Sequence, residues 1–176
     1  MGNREKLIAC SLPFLAEIKD LTPGNDVEKW LNATHGPGTE PYDDLAGLIT
    51  AGIKDGWAAN VEINGPRYRR SRICEPSVET HHFSITAVYM DSMASGEDDK
   101  LVFRGDYHGH PYGEINMVVP LTPTALLAGL NGWQGAGWTA PSPGSRHYPE
   151  TKGGALIALF YLPAGRITYD VKPPRP

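Results

Sequence analysis

Residues 107–114 read Tyr107-His108-Gly109-His110-Pro111-Tyr112-Gly113-Glu114, the pattern HxHxxxE. Side chains two apart on an extended strand project to the same face, so His108 and His110 can reach one ion together. Gly109, Pro111 and Gly113 permit the bend that brings Glu114 round from the following strand. Further on, Pro143-Gly144-Ser145-Arg146-His147 forms a turn able to deliver a third imidazole. Three neutral imidazoles and a carboxylate make a mixed nitrogen and oxygen donor set. It suits a divalent transition metal (Fe, Mn, Ni, Co or Zn), and ligand type alone does not choose among these. Four protein ligands on a six-coordinate ion leave two positions for water or substrate, as Lewis-acid chemistry requires. A lone HxH is a weak signal, and His147 by itself reads as an ordinary turn residue. The two patterns together, both flanked by Gly and Pro, are much harder to obtain by accident.

Outward from this segment the chain reads as short strands. Trp57, Ala59, Val61 and Ile63 alternate, and Asn64-Gly65-Pro66 then turns the chain. Tyr68, Arg70, Arg72 and Cys74 share one strand face, and His81, Phe83, Ile85, Ala87 and Tyr89 share a face of the next. A polar loop is expected over 92–100. More strands follow near 114–121, 125–130, 133–140, 155–162 and 167–171, with Asn131-Gly132 as a hairpin signal. Before Trp57 the period is helical. Leu7, Ile8, Leu12, Leu15 and Ile18 form one stripe, which Pro13 kinks or divides, and Val27, Trp30 and Leu31 belong to a second helix. Tyr42, Leu45, Ala46, Ile49 and Ile53 form a third stripe, which Gly56 closes. Helices first and strands after predict a mainly β fold. An antiparallel β-barrel of the jelly-roll kind spans 57–176, preceded by a helical segment over 1–56.

Composition narrows the function. Of 176 residues, 40% are hydrophobic, enough to bury a core. The formal net charge is −4, with no basic stripe, so nucleic-acid binding is not expected. The longest apolar run, Ala155 to Leu162, is too short to span a bilayer. Charges stand where a signal peptide would need an apolar stretch. Cys10 and Cys74, far apart, read as free thiols in a reducing cytoplasm.

The histidine patterns resemble the two motifs of the cupin superfamily. HxHxxxE is intact, and Gly144 and His147 fit the second motif. Val102 and Leu121 stand where the first motif has glycines, and Ser142 and Thr151 where the second has proline and asparagine. The ligands match better than the scaffold. Over nearly its whole length the chain also resembles the bacterial 4-hydroxylaminobenzoate lyase family, through YRRSRICEPSVETHHFSITAVYMDS, FRGDYHGHPYGEINMVVPL and GWTAPSPGSRHYPETKGGALIALFYLPAGRI. That resemblance implies a metal-dependent lyase converting 4-hydroxylaminobenzoate to 3,4-dihydroxybenzoate and ammonia, in nitroaromatic breakdown. Two other readings use the same donor set: an Fe(II) dioxygenase acting on a small aromatic substrate, and a ligand-binding cupin without catalysis. By analogy with cupins, which commonly pair through strand edges, a homo-oligomer is expected.

A small aromatic carboxylate calls for an arginine, because the guanidinium fork pairs with a carboxylate. Arg70 and Arg72 share one predicted face and are the candidates for substrate. Arg67 and Arg69 share the other, and surface arginines on an edge strand also discourage edge pairing. His81 and His82 point to opposite faces of one predicted strand. If His81 faces inward it is a candidate general acid or base, though a buried histidine with a satisfied hydrogen bond is the plainer reading. Tyr107 is a candidate proton donor, with packing as the alternative.

Overall fold

The computed structural model describes residues 1–93 and 101–175. The loop expected over 92–100 falls, from residue 94 onward, outside the described residues. Three helices come first: α1 (Asn3–Ile18), α2 (Asn25–Thr34) and α3 (Glu40–Asp55). Pro13 lies inside a single α1. Leu7, Phe14, Leu15 and Ile18 of that helix are all buried together, and this packing outweighs the one backbone hydrogen bond that proline removes. No helix among the described residues is long and apolar enough to cross a membrane.

Twelve strands follow among the described residues. They are β1 (Val61–Glu62), β2 (Tyr68–Cys74), β3 (Phe83–Asp91), β4 (Phe103–Arg104), β5 (His108–His110), β6 (Ile115–Pro120), β7 (Leu126–Gly129), β8 (Gly132–Gln134), β9 (Gly137–Thr139), β10 (Ser145–His147), β11 (Glu150–Lys152) and β12 (Ala155–Pro163). A six-stranded sheet runs β1-β2-β3-β12-β6-β9, a four-stranded sheet runs β4-β11-β7-β8, and β5 pairs with β10. Every pairing between these strands is antiparallel. The fold is mainly β with N-terminal helices. The three sheets remain separate among the described residues, so hydrogen bonds do not close the expected barrel into one ring.

The large sheet is apolar on both faces, and alternation divides the work. Ile157, Leu159 and Tyr161 of β12 join Ile85, Ala87, Ile115 and Met117 against the helices. Leu156, Ala158 and Phe160 of the same strand turn the other way, toward Phe103 and Leu127 of the smaller sheet. Burial on both sides is why β12 reads as an unbroken apolar run instead of alternating. Leu45 and Ile49 of α3 and Phe14 of α1 lie in the helix-side cluster. Two polar contacts fasten the layers. The Ser11 and Tyr161 hydroxyls lie 2.9 Å apart, and the Tyr42 hydroxyl donates to the Val118 carbonyl at 2.6 Å.

Two local expectations are corrected. The register of β2 against β3 shifts between Arg72 and Cys74, so Cys74 packs with the helix-side cluster and does not share a face with Tyr68. His81 and His82 form no strand. They lie in a turn with φ of 51° and 65°, and β3 begins at Phe83. Reciprocal bonds between Ser77 and Thr80, and the His82 amide donating to the Ser77 carbonyl, build that turn.

Replacing Ile49, which is fully buried, with Ala is expected to cost about 2–5 kcal/mol of stability. Thr50→Ala, one position along and exposed, should stay within about 0.5 kcal/mol. Chemical denaturation of both variants checks this, and equal losses would contradict the packing of α3 on the sheet.

Candidate active site

The pairing of β5 with β10 sets His147 opposite His108, Arg146 opposite Gly109 and Ser145 opposite His110. Alternation then puts the three imidazoles on one face. Their Nε2 atoms converge, with 3.1 Å separating each of the three pairs. Among the described residues these three form the group whose donor atoms could hold a metal ion together. The turn after β5 depends on Gly113, whose φ is +80° and where a Cβ would meet the Pro141 carbonyl oxygen at 2.8 Å. Through this turn the chain enters β6 with Glu114 beside His110, its Oε2 3.3 Å from Nδ1. Glu114 thus flanks the ring nitrogen remote from the convergence point.

The tautomers follow from the contacts. Nδ1 of His108 lies 2.8 Å from the Asp106 carbonyl. A carbonyl only accepts, so Nδ1 carries the proton and Nε2 presents its lone pair. The Glu114 contact to His110 is poorly aligned, and Nδ1 of His110 has no other partner. Burial, with His108 and His147 adding to it, pushes the His110 pKa down to about 2. Burial and then His108 push that of His147 to about 4. His108 is lowered by burial, with the Asp106 carbonyl opposing. All three rings are therefore neutral at neutral pH, the form that ligates metals. Burial raises the Glu114 carboxyl to about 8.

The donor set fits a first-row divalent ion. Imidazole bonds of about 2.1 Å imply about 3.0 Å between neighbouring corners of an octahedron and about 3.4 Å between corners of a tetrahedron. The observed edge of 3.1 Å falls within that range.

His108, Glu114 and His147 open onto a cavity whose walls include Arg70, Asn116 and Tyr169. Arg70 donates to the Tyr169 hydroxyl, and its guanidinium stacks 4.9 Å from that ring's centre. The Tyr169 ring in turn lies 5.8 Å from that of His108. Burial pushes the Tyr169 phenol up to about 12 against the pull of Arg70, so it keeps its proton.

The other sequence candidates are not brought to this cavity. Arg72 turns to Glu75 at 3.0 Å and to the Gly165 carbonyl at 2.9 Å. Arg67 and Arg69 stack on Phe103 and Tyr89, each 4.3 Å from the ring centre. His81 lines a separate surface depression with Lys19 and Tyr112, because it sits in the turn before β3. Tyr107 packs on Tyr148 at 4.8 Å, as strand alternation beside His108 dictates. Sequence reasoning passed over Tyr169 and Asn116. Tyr169 arrives through Thr168, which pairs with Gly109 across the chain, and nothing near it in sequence signals this.

Comparison with known proteins places the chain. Residues 9–169 match the model of the PnbB family, 4-hydroxylaminobenzoate lyase. The chain belongs to this family. A 4-hydroxylaminobenzoate lyase of Nocardioides sp. (strain LMS-CY) is 60% identical over 174 residues, covering 99% of each chain. One of Pseudomonas putida is 60% identical over 171 residues, covering 97% of each. Among solved structures, the DMSP lyase DddQ from Ruegeria pomeroyi DSS-3 aligns over 94% of this chain and 95% of its own. Its TM-score is 0.39 and its identity 13%, too distant to carry a structural argument.

Purified protein is expected to contain a stoichiometric divalent transition metal by elemental analysis. His110→Ala and His147→Ala should each lose it while keeping the β-rich circular dichroism spectrum. Unchanged metal content in both variants would rule out the triad as the binding site.

Proposed function

We propose that this protein is a metal-dependent lyase that converts 4-hydroxylaminobenzoate and water to 3,4-dihydroxybenzoate and ammonia. Family membership supports the substrate. The observation that carries the chemistry is a cavity bordered by His108 and His147 of the neutral imidazole triad and, on its wall, by an arginine paired with a tyrosine. The conversion balances without an oxidant: two C–O bonds form, the C–N, N–O and one ring C–H bond break, the ring proton is released, and one water is consumed overall.

His108, His110 and His147, with Glu114 beside them, would hold a divalent ion, which would supply Lewis-acid chemistry. Arg70 holds the substrate carboxylate. Because the Tyr169 hydroxyl accepts from Arg70 and stays protonated, its own hydrogen is free to donate to a carboxylate oxygen alongside. Val88, Met90, Ala158 and Phe160 supply apolar wall for the ring and keep bulk water out. Such exclusion strengthens each charged contact inside.

Incubating the protein anaerobically with 4-hydroxylaminobenzoate should release ammonia and dihydroxybenzoate, and strict dependence on O₂ would assign the site to a dioxygenase instead. Arg70→Ala should weaken use of the acid by about 2 kcal/mol, roughly thirty-fold in KM, the lower end for a truncated charge pair because Arg70 is partly solvated. Turnover of the neutral carboxamide should barely change. Arg72→Ala should leave both within about twofold, as expected of a surface substitution. Equal effects of the two arginine variants on acid and carboxamide would remove the carboxylate clamp and leave the metal site standing.

A further inference from the structure

One buried polar atom of a cavity-lining residue has no partner among the described residues. Asn116, on β6, is 3% exposed. Its Nδ2 donates to the Thr139 hydroxyl at 3.1 Å, which fixes the amide plane. Its Oδ1 is shielded from solvent and accepts from nothing among the described residues. A buried amide oxygen left unpaired is costly, and native folds rarely keep one without use. Asn116 lines the same cavity as His108, His147 and Arg70.

The chemistry of that atom excludes one end of the substrate. An amide oxygen repels a carboxylate and accepts hydrogen bonds from N–H or O–H. The sheet register keeps it away from Arg70 as well. Arg70 stands opposite Val88, Val88 opposite Ala158, and Ala158 opposite Val118. At about 4.8 Å per strand, those three steps span about 14 Å of backbone. Asn116 lies two residues along β6 from Val118, on the same face. The long arginine side chain covers only part of this span, so the two residues stand at separate places on the cavity wall. Asn116 is also two residues from Glu114, which puts it toward the metal end of the cavity.

Building on the benzoate reading above, we propose that Asn116 is the specificity residue for the para substituent. Its Oδ1 accepts a hydrogen bond from the N–H or O–H of the hydroxylamino group while Arg70 holds the opposite end. The cavity therefore selects para-substituted benzoates whose substituent carries a hydrogen-bond donor. Thr139 acts as a positioning residue: by accepting from Nδ2 it leaves the oxygen as the free end of the amide.

The test is binding of 4-aminobenzoate and 4-nitrobenzoate by calorimetry to the metal-loaded wild type, Asn116→Leu and Asn116→Ala. The two acids share ring and carboxylate, and only the first offers N–H donors. Wild type should bind the amino acid about tenfold tighter, as one hydrogen bond suggests. Either variant that keeps the wild-type circular dichroism spectrum should lose that preference by weakening for aminobenzoate alone. Retention of the preference in a folded variant would overturn the assignment. A wild-type preference for nitrobenzoate that the variants lose would also overturn it, since the free amide end would then be a donor. Binding of both acids equally by wild type would refute Asn116 while sparing the benzoate reading. Failure of wild type to bind either acid would bring down that reading and this proposal together.

Discussion

Three imidazole nitrogens held 3.1 Å apart, two of them on buried rings, repel one another where their lone pairs face, so the surrounding backbone must hold them in place. A protein accepts such an arrangement when a cation compensates for it, and at His108 the neighbouring contact favours the bare Nε2. The Asp106 carbonyl takes the His108 proton on the remote nitrogen. Burial keeps the rings uncharged. The pairing of β5 with β10 fixes the spacing by register, so the donor geometry is a property of backbone hydrogen bonds and does not rest on side-chain packing alone.

The helices matter to the site although none of their residues lines its cavity. The central sheet is apolar on both faces, and each face needs cover. Left bare, the face carrying Ile157, Leu159 and Tyr161 would be a large exposed apolar patch. The three helices bury it. That frees the smaller sheet to cover the other face, where a cavity forms between Arg70, the histidines and the apolar walls. The hydroxyl contact between Ser11 and Tyr161 is a polar fixture in that otherwise apolar seam.

Much of this architecture was legible in the sequence, for local reasons. Helical and two-residue periods mark where helices give way to strands, and HxHxxxE with a later glycine-turn histidine marks the triad because strand alternation is local physics. What was hidden depends on register and distant contact. Arg70 and Arg72 look equivalent in a strand pattern, and only Glu75 and the Gly165 carbonyl draw Arg72 away. His81 continues an alternating pattern on paper, yet the Ser77–Thr80 turn claims it. Cys74 changes face at a bulge that alternation does not signal. The unpaired state of the Asn116 oxygen exists only because Thr139, far along the chain, takes the other end of its amide.

The histidine triad and the Arg70–Tyr169 pair share one short piece of backbone. Gly109, between the two ligand histidines of β5, donates to the Thr168 carbonyl at 2.8 Å and accepts from the Thr168 amide at 3.0 Å. Strand β10 occupies the other edge of β5. A Cβ on residue 109 would approach Thr168 Cγ2 to 3.3 Å and Arg146 Cγ to 3.4 Å, so glycine lets both neighbours close in. With both edges paired, the strand that carries His108 and His110 has little freedom to shift. The segment that completes the second edge also delivers Tyr169 to Arg70, one residue beyond Thr168. Displacing that segment would therefore loosen the arginine–tyrosine pair and unpair one edge of the ligand strand at the same time. The two ends of the site are coupled through hydrogen bonds of the main chain, which no substitution of a ligand side chain would reveal.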